Sequence, residues 1–274
     1  TSEIILTETI APLTEELLKQ KLIKKWFFIR YSDPHLHLRV RFHAIDKYKV
    51  QKYIDQYFEN SQIWEISNNI QIENYKPEIA RYGANTLDKA ENIFFQDSLS
   101  TVNILSKVEG KEGEKIKVLT SIYIIDQYLN CLNYSLQKKL NFISWLKDAF
   151  YQEFGVEKEL RKKLSSKYKE FFPFMDKFLK KTEDYAEYYD SIYEILEKRN
   201  KIVKPIVKEL VELNKSDCLD VNIEDLTSSY IHMFINRMFR SNQRKHELMI
   251  YSILFQYYRS AIAIQKQQQK QFVS

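Results

Sequence analysis

The segment His35-Leu36-His37-Leu38-Arg39-Val40-Arg41-Phe42-His43 alternates polar and apolar residues without a break. A period of two is the period of a β-strand, whose successive side chains leave opposite faces. Leu36, Leu38, Val40 and Phe42 share the face suited to a core. His35, His37, Arg39, Arg41 and His43 share the other, so that two guanidiniums are framed by imidazoles. Like charges side by side on a strand repel. An anionic ligand offsets that repulsion, because arginine's planar fork matches a carboxylate or phosphate with paired hydrogen bonds. Two other readings stay open at this point. One is a basic strand that simply faces solvent. The other is a zinc site through His35 and His37, which the neighbouring arginines would oppose.

Outward from this strand, the first third alternates. Glu3–Thr7 (EIILT) and Ile70–Tyr75 read as strands, Trp26–Tyr31 (WFFIRY) as a buried strand, and Pro12–Ile23 and Asp46–Phe58 as helices. From Thr86 on, the apolar periodicity is helical. It predicts helices near 86–107, 114–131, 136–153, 156–170, 183–213, 225–239 and 243–267, with Gly110 and Gly113 at one break and Pro205 as a kink. Leu213–Asp225 reads as a loop with Asp225 opening the next helix. The prediction is an α+β fold and a single domain over 1–274. A small mixed or antiparallel sheet in residues 1–84 packs with a mainly helical 85–274.

Composition narrows the class. The 274 residues hold 4 Gly and 5 Pro against 19 Tyr and 17 Phe, which favours long helices. The net charge of +5 is spread, with tracts such as Arg161–Lys163 and Lys177–Lys181 broken up by carboxylates and aromatics. These tracts read as solvated helix faces, and direct nucleic-acid binding is not expected. Cys131 and Cys218 are isolated and read as reduced packing residues. The sequence has no apolar run of about 18 residues to span a membrane and no basic-then-apolar signal segment, so the cytoplasm is the expected location. Glycine-rich phosphate loops, GxSxG, HExxH and dinucleotide fingerprints are absent.

Two more clusters carry candidate chemistry. In Tyr75–Gly83 (YKPEIARYG), followed by Glu91 and Asp97, Pro77 stiffens the entry and Gly83 suits a turn or a close backbone approach. Arg81 there can face solvent or a site. In His232–Arg240 (HMFINRMFR), His232, Asn236 and Arg240 recur every four residues and so share a helix face, with Asn236 placed to orient the imidazole. His232 reads either as a satisfied core histidine or as a proton-transfer group suited to neutral pH.

Trp26–His43 (WFFIRYSDPHLHLRVRFH), Tyr75–Ser98 (YKPEIARYGANTLDKAENIFFQDS) and Ser228–Phe239 (SSYIHMFINRMF) occur in that order. Together they resemble the C-terminal domain of lantibiotic dehydratases, a family also called thiopeptide-type bacteriocin biosynthesis proteins. The resemblance implies an α+β fold with a helical second half, and a role on a ribosomally made precursor peptide. In full-length members a separate domain uses glutamyl-tRNA to esterify Ser or Thr, and the domain resembled here eliminates the glutamate. Nothing in this chain looks like the glutamylating part, so the resemblance implies a stand-alone elimination subunit with a separate tRNA-dependent dehydratase as partner, and a homodimer by analogy. No cofactor or metal is implied, since the leaving group is activated beforehand. Carried over by position, Arg41, Arg81 and His232 are the catalytic candidates, with His232 as base or acid. Arg39, His37 and Asn236 are the substrate-binding candidates. Ala84 stands where the family has a second glycine, which bears on the loop's shape. Two rivals remain. One is the pyridine synthase of thiopeptide biosynthesis, a branch that tends to lose the elimination arginines. The other is a non-catalytic subunit that holds the precursor.

Overall fold

The computed structural model describes residues 2–32, 35–59 and 70–271. Residues 2–19 are helical, as a turn α1 (Ser2–Ile4), a π-helical stretch Ile5–Ile10 and helix α2 (Ala11–Lys19). This corrects the strand expected at Glu3–Thr7. The β-branched residues of that stretch suit a strand, but Leu6, Ile10, Leu13 and Leu17 recur every three or four residues and are all buried. A helical stripe facing a core outweighs local β-propensity. Glu3 receives Lys117 at 3.0 Å, and the Ser2 hydroxyl accepts from Arg30 at 3.1 Å.

The sheet has two antiparallel strands, β1 (Ile23–Tyr31) and β2 (His37–Ala44). Phe27 lies opposite Arg41, Ile29 opposite Arg39, and Tyr31 opposite His37. Residues 70–78 are irregular, so the strand expected at Ile70–Tyr75 does not form. Among the described residues it has no partner strand, and an isolated strand leaves its backbone groups unpaired.

The edge of β1 turned away from β2 is closed by helices instead. The Phe28 N–H donates to Ser98 Oγ at 3.2 Å and Arg237 Nε donates to the Phe28 carbonyl at 2.9 Å. Asn236 takes both groups of Arg30, accepting from its N–H and donating to its carbonyl, each at 2.9 Å. Ser98 lies on α5 (Leu87–Leu105), and Asn236 and Arg237 on α11 (Ile223–Met238).

The remaining helices are α3 (Lys47–Glu59), α4 (Ile79–Tyr82), α6 (Gly110–Cys131), α7 (Leu136–Glu153), α8 (Lys158–Lys180), α9 (Glu183–Tyr188), α10 (Asp190–Lys215) and α12 (Gln243–Gln271). The segment expected as one helix over 183–213 breaks at Tyr189, while helix continues through both Pro173 and Pro205. Helix α11 is capped by Asn222, whose side chain accepts from the Glu224 N–H at 2.7 Å, so Asp225 sits inside its first turn. Arg240 lies beyond the helix end and leaves the face predicted for it.

The core runs from Leu6 to Tyr258. At its centre Arg199 Nε meets Asp97 Oδ1 at 2.7 Å, both buried, and Arg199 also donates to the Tyr128 hydroxyl at 2.7 Å. Removing one partner of such a pair leaves an uncompensated buried charge, so the pair dictates how α5 and α10 meet. Among the described residues no helix is long and apolar enough to cross a membrane.

Asn236→Ala leaves the Arg30 N–H and carbonyl without partners, in a region the chain shields from water. Loss of about 2 kcal/mol of unfolding free energy is expected in urea titrations, with Asn236→Asp recovering only the accepting half.

Candidate functional site

The arginine face of β2 is held by aromatic rings. The Arg39 guanidinium lies 4.0 Å over the Tyr31 ring, and its Nε donates to His37 Nε2 at 3.1 Å. His37 Nδ1 is 2.8 Å from the His35 carbonyl, which places its proton on Nδ1 and frees Nε2 to accept. The His37 ring stacks on Tyr31, its partner across the ladder. Both ring nitrogens of His37 are thus engaged, which removes the zinc reading for His35 and His37.

Arg41 reaches the Tyr75 ring at 5.8 Å, and Tyr75 meets Phe27 edge-on at 5.7 Å. Phe27 is opposite Arg41 in the ladder, so the two side chains share a face. Burial, followed by Glu91 and Glu78, pushes the Tyr75 hydroxyl well above the usual phenol range, so it stays protonated and bonds to Glu91. Among the described residues neither Arg39 nor Arg41 has a carboxylate within ion-pair distance. Lys25, in contrast, is satisfied by Asp88 at 2.7 Å and Glu91 at 3.0 Å, and its hydrogen bond holds the Asp88 carboxyl below its ordinary range.

Arg81 is in the last turn of α4. Its Nε donates to Ser229 Oγ at 3.1 Å, and its Nη1 is 3.5 Å from Glu78, a half-exposed pair that adds little stability. Ser229 precedes His232 by one helical turn of α11, on the same face. His232 Nδ1 lies 3.1 Å from both carboxylate oxygens of Glu247, which also accepts from the Tyr251 hydroxyl at 3.1 Å and from Arg244 Nη1 at 3.2 Å. The His232 side chain keeps 27% of its exposure and Glu247 keeps 1%.

Among the described residues no hydrogen bond or ion pair joins the three catalytic candidates to one another. Arg41 lies over the Tyr75 ring, and Arg81 holds Ser229, one turn before His232 on α11. Asn236 does not hydrogen-bond the imidazole. Its amide is spent on the Arg30 backbone, and Glu247 orients His232 instead. A cleft of about 460 Å³ floored by Val118, Phe171, Phe174 and Met249 contains none of the candidates.

The loop after Arg81 depends on Gly83, whose φ of 74° with ψ of 145° is open essentially to glycine alone. A Cβ there would meet Thr86 Oγ1 at 2.9 Å and Asp220 Cβ at 3.2 Å. Asn85 then ties the loop to the α10–α11 connection, its N–H donating to Asp220 at 3.1 Å and its side chain to the Cys218 carbonyl at 2.6 Å. Ala84 is not among the residues of positive φ, so the loop closes without a second glycine. Both cysteines are free thiols, Cys131 half-buried and Cys218 exposed.

Glu247 went unnoticed in the sequence. The signal was a lone carboxylate before the apolar run Leu248-Met249-Ile250, with Arg244 and Tyr251 one turn to either side.

The arginine-bearing sheet is thus clasped at its β1 edge by α5 and by α11, the helix that also carries His232. Residues 1–258 match the model for the C-terminal part of lantibiotic biosynthesis dehydratases, and the chain belongs to that family. It is 25% identical over 233 residues to the nisin biosynthesis protein NisB of Lactococcus lactis subsp. lactis, covering 83% of this chain and 21% of that protein. Over 249 residues it is 26% identical to the epidermin biosynthesis protein EpiB of Staphylococcus epidermidis, covering 88% and 23%. The chain thus spans 21% to 23% of the length of these relatives. It shares its fold with the tRNA dependent lantibiotic dehydratase MibB from Microbispora sp. 107891, at a TM-score of 0.64 and 18% identity over 93% of this chain and 26% of that one. It also shares it with TsrL, at 0.60 and 11% identity over 94% and 91%.

Gly83→Ala forces a side chain into a backbone conformation and a space that exclude it. A loss of about 1–3 kcal/mol is expected on thermal or urea unfolding.

Proposed function

We infer that the chain eliminates glutamate from glutamylated Ser or Thr residues of a precursor peptide, acting as a lyase after a tRNA-dependent dehydratase has installed the ester. The observation that carries this reading is the pair Arg39 and Arg41. They are adjacent on one strand face, laid against aromatic rings, and left without carboxylate partners among the described residues. A repulsive pair is kept in place for an anion that the substrate brings.

In the reaction the Cα proton is removed, the Cα–Cβ double bond forms, and the Cβ–O bond breaks. Glutamate departs as a carboxylate with the bonding electron pair, leaving dehydroalanine or dehydrobutyrine. Negative charge grows on the peptide carbonyl oxygen and on the leaving carboxylate. Arg41 and Arg81 meet that charge, and Arg39, with His37 against it, takes the free carboxylate of the glutamyl group. Preorganised donors of this kind are each worth about 3–4 kcal/mol in the transition state. His232 Nε2 receives the Cα proton, since Nδ1 faces Glu247. Asn236 has no part in binding substrate, because both ends of its amide are engaged.

The test is incubation of the protein with a glutamylated precursor, followed by mass spectrometry. Wild type should release one glutamate per modified residue. Alanine at Arg41, Arg81 or His232 should lower the rate by about 10²- to 10³-fold, so that glutamylated peptide persists. Loss of a leader fragment without glutamate release would instead mark a pyridine synthase. Unchanged product with all of these residues replaced would mark a binding subunit.

A further inference from the structure

Glu247 is a buried carboxylate on an otherwise apolar stretch of α12, and burying an ion is costly unless its partners are well placed. An apolar pair could join α11 to α12 at lower cost. The carboxylate is instead fixed from two sides. Arg244 donates to it while itself bound by both carboxylate oxygens of Glu153 and lying 4.0 Å over the Phe150 ring, and the Tyr251 hydroxyl donates from the next turn. Its remaining contact is His232 Nδ1, on an imidazole that stays partly open to the surface.

We propose that Glu247 is a positioning residue for the elimination, holding the His232 imidazole with its proton on Nδ1 so that Nε2 is presented, unprotonated, to the substrate Cα–H. The proposal rests on the elimination reading above. A carboxylate accepts and cannot donate, so contact with Nδ1 selects the tautomer in which that nitrogen bears hydrogen. When Nε2 takes the Cα proton, the imidazolium forms against an anion already in place. The proton stays on the imidazole, because Arg244 and Tyr251 stabilise Glu247 as a carboxylate. Glu247 itself touches neither the peptide nor the departing glutamate.

The experiment pairs a tautomer measurement with kinetics on the full chain. Glu247→Gln keeps the size of the side chain, but its amide can offer an N–H to Nδ1 and so favours the opposite tautomer. Long-range ¹H–¹⁵N NMR of His232 should place the proton on Nδ1 in wild type and show Nε2–H in Glu247→Gln. With a glutamylated precursor, kcat should fall by at least about tenfold and up to about 10⁴-fold, with KM changed by less than twofold. Should Glu247→Gln fail to fold, Tyr251→Phe removes one donor that pins the carboxylate. Glu247 remains an acceptor, so the proton should stay on Nδ1, while the less firmly held carboxylate should give a smaller loss of kcat at unchanged KM.

An unaltered tautomer in Glu247→Gln, or a wild-type kcat in Tyr251→Phe, overturns the proposal. So does an altered tautomer at wild-type kcat, or a loss confined to KM. If the tautomer shifts as expected but wild type releases no glutamate, the positioning contact stands and the elimination reading falls.

Discussion

Ser98, Asn236 and Arg237 do for β1 what a third strand does in a larger sheet. Between them they satisfy the N–H and carbonyl of Phe28 and of Arg30, the backbone groups that point away from β2. A two-stranded sheet is marginal by itself in water, and an unpaired buried backbone group carries the full cost of its desolvation. The clamp removes both problems and adds a geometric result. Because Asn236 matches one residue of β1 with both ends of its amide, α11 can neither slide nor rotate against the strand. His232, one turn before Asn236, is thereby placed relative to β2, which is in register with β1.

The arginines divide into two kinds by what surrounds them. Arg199 and Arg237 are buried; Arg199 donates to Asp97, Asn200 and Tyr128, and Arg237 to two main-chain carbonyls, its Nη2 having no partner among the described residues. Arg30 is similar: burial lowers its pKa to about 10, opposed by Glu3, and its Nε serves the Arg237 carbonyl. These groups hold elements together. Arg39 and Arg41 are half-buried and rest against tyrosine rings, which orient a guanidinium without neutralising it. Arg81 is intermediate, with a hydroxyl and a distant carboxylate. A charge left unneutralised beside ordered aromatic surface is available to a ligand in a way that a satisfied one is not.

The alternating strand was legible because a period of two has one structural meaning, although its two faces are about equally half-buried and Leu36, read as part of the core face, is exposed and precedes the strand. The long helices were legible from spacing and the scarcity of glycine. Glu3–Thr7 misled because β-branched residues fit a strand locally, while the helical stripe of Leu6, Ile10, Leu13 and Leu17 extends past the window in which propensity is judged. Asn236 misled for a different reason. Helical spacing puts it on the His232 face, but spacing cannot say which neighbour reaches it first, and a strand edge far away in sequence did. Glu247 stayed hidden because its role exists only where two helices meet.

The bonds from α11 to β1 join residues 206 to 209 positions apart, whereas the Ser98 bond spans 70. While the chain is being synthesised, β1 and β2 leave the ribosome long before α11 exists. Until then β1 has only the cover of earlier elements such as α5, whose Phe94 meets Phe27, and the outward backbone groups of Arg30 have no partner. Contacts so distant along the chain must bear the entropy of closing a very large loop before they return any stability. The first third therefore passes through a period of exposure in which its aromatic strand is a target for chaperones or for self-association. Neither the sheet nor the arginine face reaches its working form until the last quarter of the chain has docked.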